Sequence, residues 1–462
     1  MKAWALVFAV ALASCGGGED KQPVLVEAAK PEPPPAPAAP ACEGSVGEGV
    51  LHWFHDDYAG ALACARDKGL PIAIDMWAPW CHTCLSMQAY VLTDERFADY
   101  DRRFVFLALD TDREVNAAPV AKFPPAAWPT FFVVSPVDES IQARFVGGGT
   151  VEQITGFLDD GERGHQALQG GALTDYEAAA REGDRAASKK EWDAARTSYE
   201  AALAKMPTGW SRAPDVMVSL IAAQSRAKAW PECAETAKRW LDATGRSASA
   251  TDFAAHALGC ATELKDTALQ ATIAKRLGAL VDDGAAQLSV DDRSDALMYL
   301  RQTLDGLGRK DEARSVADRQ RALLDETAGK AEPREAMMYN WPRAEVYAYL
   351  DRELELVPAL ETSVKDLPKE YDPPYRLAWL LLEAGKPDDA RRWAEQAETL
   401  AYGPRKARVQ GLLAQIHAKR GDRVAERAAR AAVVATLEAL PAAARNPEAI
   451  AKAKSELAAL GT

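Results

Sequence analysis

The sequence predicts a protein of two main parts, an α/β domain followed by an all-α array of helical repeats. Continuous apolar runs at residues 72–77, 104–109 and 130–134 have the length of strands buried on both faces. Helical segments between these runs are typical of a central sheet covered by helices. After about residue 170, strand-like runs disappear and amphipathic stretches alternate with Gly and Pro breaks. We therefore expect the two domains at residues 46–165 and 172–460.

Composition restricts the function classes. The 462 residues include 68 acidic and 55 basic side chains, which gives a net charge of −13. This charge repels phosphate backbones, and no basic stripe offsets it, so we expect no nucleic-acid partner. No window approaches 18 uninterrupted apolar residues, which argues against a membrane-spanning helix.

The N-terminus has the features of a secretory signal at residues 1–15. Lys2 precedes an apolar run at 3–13, and small residues follow before Cys15. Residues 12–15, Leu-Ala-Ser-Cys, resemble the lipobox of bacterial lipoproteins, which implies lipidation of Cys15. The alternative is an ordinary signal peptide with an incidental cysteine. In the lipoprotein family, Gly rather than Asp at position 16 favours the outer membrane, on its periplasmic side.

Residues 16–45 are rich in Pro and Ala and cannot build a core, so we interpret them as an extended tether. Six cysteines remain after Cys15, in a compartment that permits disulfides. The simplest pairing is Cys42 with Cys64, Cys81 with Cys84, and Cys233 with Cys260. The alternative is that some of them are buried free thiols.

Within the α/β domain, a helix is predicted at 58–68 with Asp57 as its N-cap. A last strand at 143–146, three glycines and a helix at 151–158 close the unit. The following segment, 161–171, is polar and contains glycine, so we expect a short, weakly packed hinge near Gly164.

One segment of this domain carries a specific motif: Asp75-Met76-Trp77-Ala78-Pro79-Trp80-Cys81-His82-Thr83-Cys84. It resembles the thioredoxin family, and most of all the domain of periplasmic disulfide-interchange proteins. The resemblance covers roughly residues 50–163. Trp128-Pro129-Thr130, before a buried strand, matches the cis-proline loop of that family.

The resemblance implies a role for each matching residue. Cys81 would be an exposed nucleophile at a helix N-terminus, where amide groups stabilise a thiolate. Cys84 would resolve the mixed disulfide, and Asp75 would be the buried carboxylate that assists proton transfer. Substrate backbone would bind along Trp80 and the loop residues Trp128, Pro129 and Thr130.

Two positions depart from the usual family pattern. His82 follows the nucleophile directly, and an imidazolium there would lower the thiol pKa and raise the reduction potential. The alternative is a solvent-facing His82 with little effect. Ala108 occupies the slot where many thioredoxins carry a lysine near the buried acid, so a relay through that lysine is excluded.

A metal site is the main alternative for the motif, with His52 and His55 beside the two cysteines as ligands. The tryptophans and the Trp128-Pro129 loop have no explanation in a metal site. We therefore expect no metal and no cofactor other than the redox-active Cys81–Cys84 disulfide.

The C-terminal half resembles tetratricopeptide repeats in its spacing of small residues. Ala195 and Ala202 flank Tyr199 in a helix that Pro207 ends, and units near Lys386 and Asp422 are similar. Each helix pair in such an array covers the apolar face of the next. Packing explains the tryptophans that fall within these helices, namely Trp192, Trp230, Trp240, Trp379 and Trp393.

The leading hypothesis is a thiol–disulfide oxidoreductase, lipid-anchored on the periplasmic side of the envelope, whose array recruits protein clients. A redox partner would recycle the dithiol. One alternative is a scaffold or assembly lipoprotein in which the array binds partners and the redox domain is auxiliary. Another is a peroxidase, although paired cysteines favour dithiol exchange. The sequence leaves the direction of electron transfer open.

Overall fold

A computed structural model describes residues 42–461. The predicted signal peptide, Cys15 and most of the tether lie outside these residues. Within residues 42–461 no helix combines the length and the apolar character that crossing a membrane requires.

The N-terminal domain is built on a six-stranded mixed sheet. Its strands are β1 (Val46–Glu48), β2 (Leu51–His55), β3 (Ile72–Trp77), β4 (Val105–Asp110), β5 (Thr130–Val134) and β6 (Ile141–Val146), in the order β1-β2-β4-β3-β5-β6. β3 lies in the middle, parallel to β4 and antiparallel to β5. All but the last residue of β3 are buried, as its continuous apolar run predicts.

Helices cover both faces of this sheet. They are α1 (Tyr58–Lys68), α2 (His82–Ser86, continued by a π-helical turn at Met87–Val91), α3 (Ala117–Lys122) and α4 (Val151–Ala167). Alternate residues of β3 point to opposite faces. Ile72, Ile74 and Met76 join the core beneath α1, whereas Ala73 joins the core beneath α4. The same alternation places Asp75 on the face of Ala73.

The C-terminal part consists of helices packed in sequential pairs. They are α5 (Asp175–Ser188), α6 (Trp192–Lys205), α7 (Ala213–Arg226), α8 (Trp230–Trp240), α9 (Ala248–Glu263), α10 (Thr267–Asp282), α11 (Val290–Gly306), α12 (Lys310–Ala328), α13 (Pro333–Met338), α14 (Asn340–Tyr349), α15 (Glu353–Asp366), α16 (Asp372–Glu383), α17 (Pro387–Leu400), α18 (Gly403–Lys419), α19 (Arg423–Ala439) and α20 (Pro447–Ala458). The predicted order, an α/β domain followed by a helical array, is confirmed.

Small residues let these helices approach one another closely. Ala195, Tyr199 and Ala202 are completely buried in α6. A Cβ added to Gly183 of α5 would lie 2.6 Å from the Tyr199 ring, so only glycine fits there. Each of the five tryptophans expected to pack is partly buried against one of the array's two apolar clusters.

The expected hinge near Gly164 is wrong. Gly161 and Gly164 lie inside α4 and are buried, and a Cβ on Gly161 would meet the Val133 side chain at 2.5 Å. These glycines allow α4 to pack closely on the sheet, and the polar residues around them face partners in the array. The two parts therefore form one continuous structure.

A buried polar network, which we call the β6 seam, joins the two parts. The Arg144 amide of β6 donates to Asp184 Oδ2 of α5 at 2.9 Å. Arg212, at the start of α7, donates to the Arg144 carbonyl at 2.9 Å and to Asp215 Oδ2 at 2.9 Å. Its guanidinium also lies 3.3 Å from Asp184, and Tyr199 donates to Asp184 at 2.9 Å.

Three disulfides are present, in the simplest pairing predicted from the sequence. Cys42–Cys64 joins the segment before β1 to α1, and Cys233–Cys260 joins α8 to α9. The third, Cys81–Cys84, lies at the start of α2.

Candidate active site

The Cys81–Cys84 pair lies where β3 leads into α2. Cys81 is the N-cap of that helix, and its Sγ accepts a hydrogen bond from the Cys84 amide at 3.0 Å. An amide donor at this position stabilises negative charge on the Cys81 sulfur. Of the two sulfurs, Cys81 Sγ is therefore the one that the start of α2 would stabilise as a thiolate.

Cys81 is not exposed as expected, because only 4% of its surface is accessible, against 1% for Cys84. Helices α11 and α13 of the array pack on α2, and Leu85 of α2 belongs to an apolar cluster of the array. The array thus covers the dithiol helix, which the local sequence gave no reason to expect.

The loop before β5 lies beside the motif, and its Trp128-Pro129 peptide bond is cis, as predicted. Trp80 and Trp128 pack with ring centroids 5.2 Å apart, and Trp128 stays 37% exposed. Thr130, by contrast, is fully buried. Its hydroxyl donates to the Ala127 carbonyl at 2.7 Å, so it shapes the loop and is not placed to contact a substrate.

Asp75 is buried in the central strand with a single hydrogen-bond partner. Gln88 donates to its Oδ2 at 3.1 Å, and its Oδ1 has no partner among the described residues. Burial raises the pKa of Asp75 to about 7, and the hydrogen bond from Gln88 lowers that pKa by a smaller amount. A carboxyl with this pKa can both give and take a proton near neutral pH.

A cavity of about 380 Å³ borders this carboxyl and reaches exposed residues such as Glu48. Ala108, which pairs with Asp75 across the sheet, lines the same cavity. The slot that a lysine would fill is therefore open, which gives the carboxyl a route to water. Arg334 of α13 also lines it, so the array reaches this side of the site as well.

His82 contacts the array and does not face solvent alone. Its Nδ1 lies 2.5 Å from Asp291 Oδ1 on α11, and Asp291 is 1% exposed. Burial lowers the pKa of His82, but Asp291 and Asp295 together outweigh it and raise the value to about 10. The imidazole is therefore a cation at neutral pH. Sequence reasoning missed Asp291, because nothing local links it to the motif.

The start of α18 completes the array's contact with the site. The Arg405 guanidinium lies 3.8 Å from the centre of the Trp80 ring, and Tyr402 donates to Asp110 Oδ2 at 2.6 Å. Gly403 has a positive φ of 52°, and a Cβ there would overlap the Asp112 carbonyl. We call these contacts, together with His82–Asp291, the active-site seam.

The metal site considered from the sequence is not assembled. His52 bonds to Asp101 at 2.8 Å, and His55 pairs with Glu48 at 3.0 Å. Within residues 42–461, one other group brings three potential ligand atoms within 4.8 Å of one another, namely His82, Asp291 and Asp295.

This arrangement defines the N-terminal part as a thioredoxin-like domain. A family model described as thioredoxin-like matches residues 53–136. A thioredoxin from Synechocystis sp. is 29% identical over 90 residues, which are 20% of this chain and 70% of that protein.

A structural comparison aligns part of the chain with a solved structure, a tetratricopeptide repeat protein from Parabacteroides merdae. The identity is 15% and the TM-score 0.40, over 62% of this chain and 98% of that one.

Proposed function

We propose that the protein is a thiol–disulfide oxidoreductase that exchanges disulfides with protein clients. The observation that carries the proposal is the Cys81–Cys84 disulfide at the start of α2, with the Cys84 amide directed at Cys81 Sγ. The cis Trp128-Pro129 loop and the buried Asp75 carboxyl support it.

The exchange proceeds in two balanced steps. A client thiolate attacks Cys81 Sγ, the Cys81–Cys84 bond breaks, and its electron pair leaves on Cys84 as a thiolate that takes up a proton. Asp75, with its pKa near 7, supplies that proton. A second client thiolate then attacks the client sulfur of the mixed disulfide and releases Cys81. The reverse sequence reduces a client disulfide.

Clients would reach the dithiol along a cleft that both parts of the chain line. Its volume is about 930 Å³; Trp80 and Trp128 lie on one side, with Arg405 and helices α18–α20 on the other. An aromatic floor with cationic groups beside it suits an extended peptide segment. Recruitment by the array would then mean recruitment at this cleft.

We further propose that Cys15 carries a lipid that holds the protein on the periplasmic side of the envelope, preferably at the outer membrane. The Leu-Ala-Ser-Cys string at 12–15 and the Pro/Ala-rich segment after it support this. Three disulfides also fit an oxidising compartment. In detergent phase partitioning, the wild type should enter the detergent phase and the Cys15→Ser variant should stay in the aqueous phase. A variant that still enters the detergent phase would show that the anchor lies elsewhere.

Single cysteine variants of the full chain test the exchange activity. Cys81→Ser should abolish equilibration with glutathione, whereas Cys84→Ser should accumulate mixed disulfides with clients. The paired variant Cys233→Ala/Cys260→Ala is the control, because it removes a disulfide that lies in the array and should exchange normally. Equal residual activity in the two single variants would overturn the assigned roles. The equilibrium constant of the wild-type protein with glutathione gives the direction of electron transfer.

A further inference from the structure

Acidic side chains of the array gather around the residue that follows Cys81. Asp291 bonds directly to His82, and the Asp295 carboxylate lies within 4.8 Å of both groups. Asp292 and Asp252 face the glycine loop after β6: a Cβ on Gly148 would lie 3.0 Å from Asp292, and one on Gly147 would overlap Asp252. Four array carboxyls therefore border this side of the dithiol helix.

Few positive charges balance them. His82 itself is the cation in contact with Asp291, and Arg376 of α16 is a more remote one, bonded to Asp372 at 2.9 Å. Asp291 Oδ2 is buried without a hydrogen-bond partner among the described residues. Asp292 is held by Ser289 as part of the cap of α11. Burial and mutual repulsion raise the pKa of Asp292 to about 6, that of Asp295 to about 7 and that of Asp252 well above its usual range, so these three carboxyls are partly protonated near neutral pH.

We propose that Asp291 is a positioning residue for dithiol exchange, which holds the His82 imidazolium beside Cys81 so that both parts of the chain set the oxidising power of the disulfide. The inference rests on the proposed function. The imidazolium favours the Cys81 thiolate, and the array carboxylates oppose it. Because a stabilised thiolate makes the disulfide more oxidising, the array carboxylates make it less oxidising than the His82 imidazolium by itself would.

The two partners of this ion pair have unequal expected effects. In Asp291→Asn, burial outweighs the remaining attraction of Asp295, so the pKa of His82 falls and the imidazole becomes neutral. The variant therefore loses one negative and one positive charge together, and the stability of the Cys81 thiolate stays close to that of the wild type. His82→Gln loses only the positive charge and keeps the Asp291 carboxylate, so the thiolate becomes less stable. For His82→Gln we expect a shift of roughly three- to tenfold, the effect of a unit charge several ångströms away inside a protein.

The experiment is equilibration of the full-length variants with glutathione, together with a pH titration of the Cys81 thiolate by ultraviolet absorbance. His82→Gln should move the equilibrium toward the disulfide and the titration to higher pH, whereas Asp291→Asn should leave both readings close to wild type. Adding Asp291→Asn to His82→Gln should restore both readings to nearly wild-type values. Asp282→Asn, an exposed carboxylate of α10, is the matched control and should move neither reading.

Several outcomes would overturn the inference. If Asp291 only fastens the array to the domain, both single variants break the same contact and shift the equilibrium alike, and the double variant is not restored. Each measurement is made with and without EDTA, because His82, Asp291 and Asp295 lie close enough to hold a divalent cation. A shift that EDTA abolishes would also count against the inference. A wild-type protein that fails to equilibrate with glutathione refutes the proposed function instead.

Discussion

The β6 seam and the active-site seam join the same two parts of the chain but differ in their charge balance. In the β6 seam, Arg212 lies between Asp184 and Asp215, and all three side chains are almost completely buried. The Arg144 guanidinium is a second buried cation there and donates to the Tyr199 hydroxyl at 3.2 Å. In the active-site seam, His82 is the cation in contact with Asp291, and Asp295 is a further carboxylate beside it. The first seam pairs its buried charges, and the second carries an excess of acid.

Because of this difference, we expect the β6 seam to fix one geometry and the active-site seam to be sensitive to charge. Buried charges that are paired and hydrogen-bonded fix one geometry, because moving either partner leaves the other unpaired in a poorly solvating interior. An excess of carboxylates does the opposite, since any change in charge at Cys81 changes the energy of the contact. We therefore expect the β6 seam to hold the two parts together firmly, and the energy of the active-site contact to depend on the charge at Cys81.

The largest effect should come from breaking the β6 seam. Arg212→Ala leaves the carboxylates of Asp184 and Asp215 buried without their cation, and should cost about 3–5 kcal/mol in the free energy of unfolding. Urea unfolding of the full chain measures this cost. Arg319→Ala, which removes an exposed pair with Asp282, is the control and should cost less than about 1 kcal/mol. Equal costs would show that Arg212 does not hold the seam.

A second variant tests the opposite case, a buried acid without a cation beside it. The folded-state pKa of Asp75, about 7, exceeds its ordinary value, so its ionisation opposes folding as pH rises from about 4 to 7. Asp75→Asn should therefore stabilise the protein by up to about 4 kcal/mol at pH 8 and by little at pH 4. Unfolding at the two pH values measures it, and a gain independent of pH would contradict the cause. The variant should also slow formation of the mixed disulfide, because Asp75 supplies the proton that Cys84 takes up in that step.

The smallest effect is expected at the edge of the active-site seam. Tyr402→Phe removes the hydroxyl that donates to Asp110, but Arg113 still lies 3.4 Å from that carboxylate. The loss should be about 1 kcal/mol, the ordinary net value of one hydrogen bond. Amide hydrogen exchange in α18 measures it, with α5 as the internal reference. A loss as large as that of Arg212→Ala would remove the distinction between the seams.

The sequence was sufficient for the features that short segments determine. The buried runs of β3, β4 and β5 are continuous in the chain, and the Trp80–Cys84 motif and the Trp128-Pro129 loop specify local geometry. The partners of the active-site seam are not accessible in this way. His82 and Asp291 are 209 residues apart, and Tyr402 and Asp110 are 292 apart. No periodicity within one segment reports such a contact.

The error about the hinge has the same origin. Glycines in a polar segment indicate a flexible connection when only neighbours along the chain are considered. In the structure only glycine fits at position 161, because the Val133 side chain lies against it. The polar side chains of α4 have partners in the array. Gln153, for example, donates to Ser249 at 2.8 Å.

The Cys42–Cys64 disulfide has a mechanical consequence. β1 is a short, exposed edge strand, and a pull on the chain before residue 46 would peel it from β2 one hydrogen bond at a time. The disulfide diverts that load, because force that arrives at Cys42 passes through a covalent bond into α1. From there it spreads across the sheet as shear between α1 and the strands beneath it. The edge strand β1 therefore carries less of any force that is applied on the N-terminal side of Cys42.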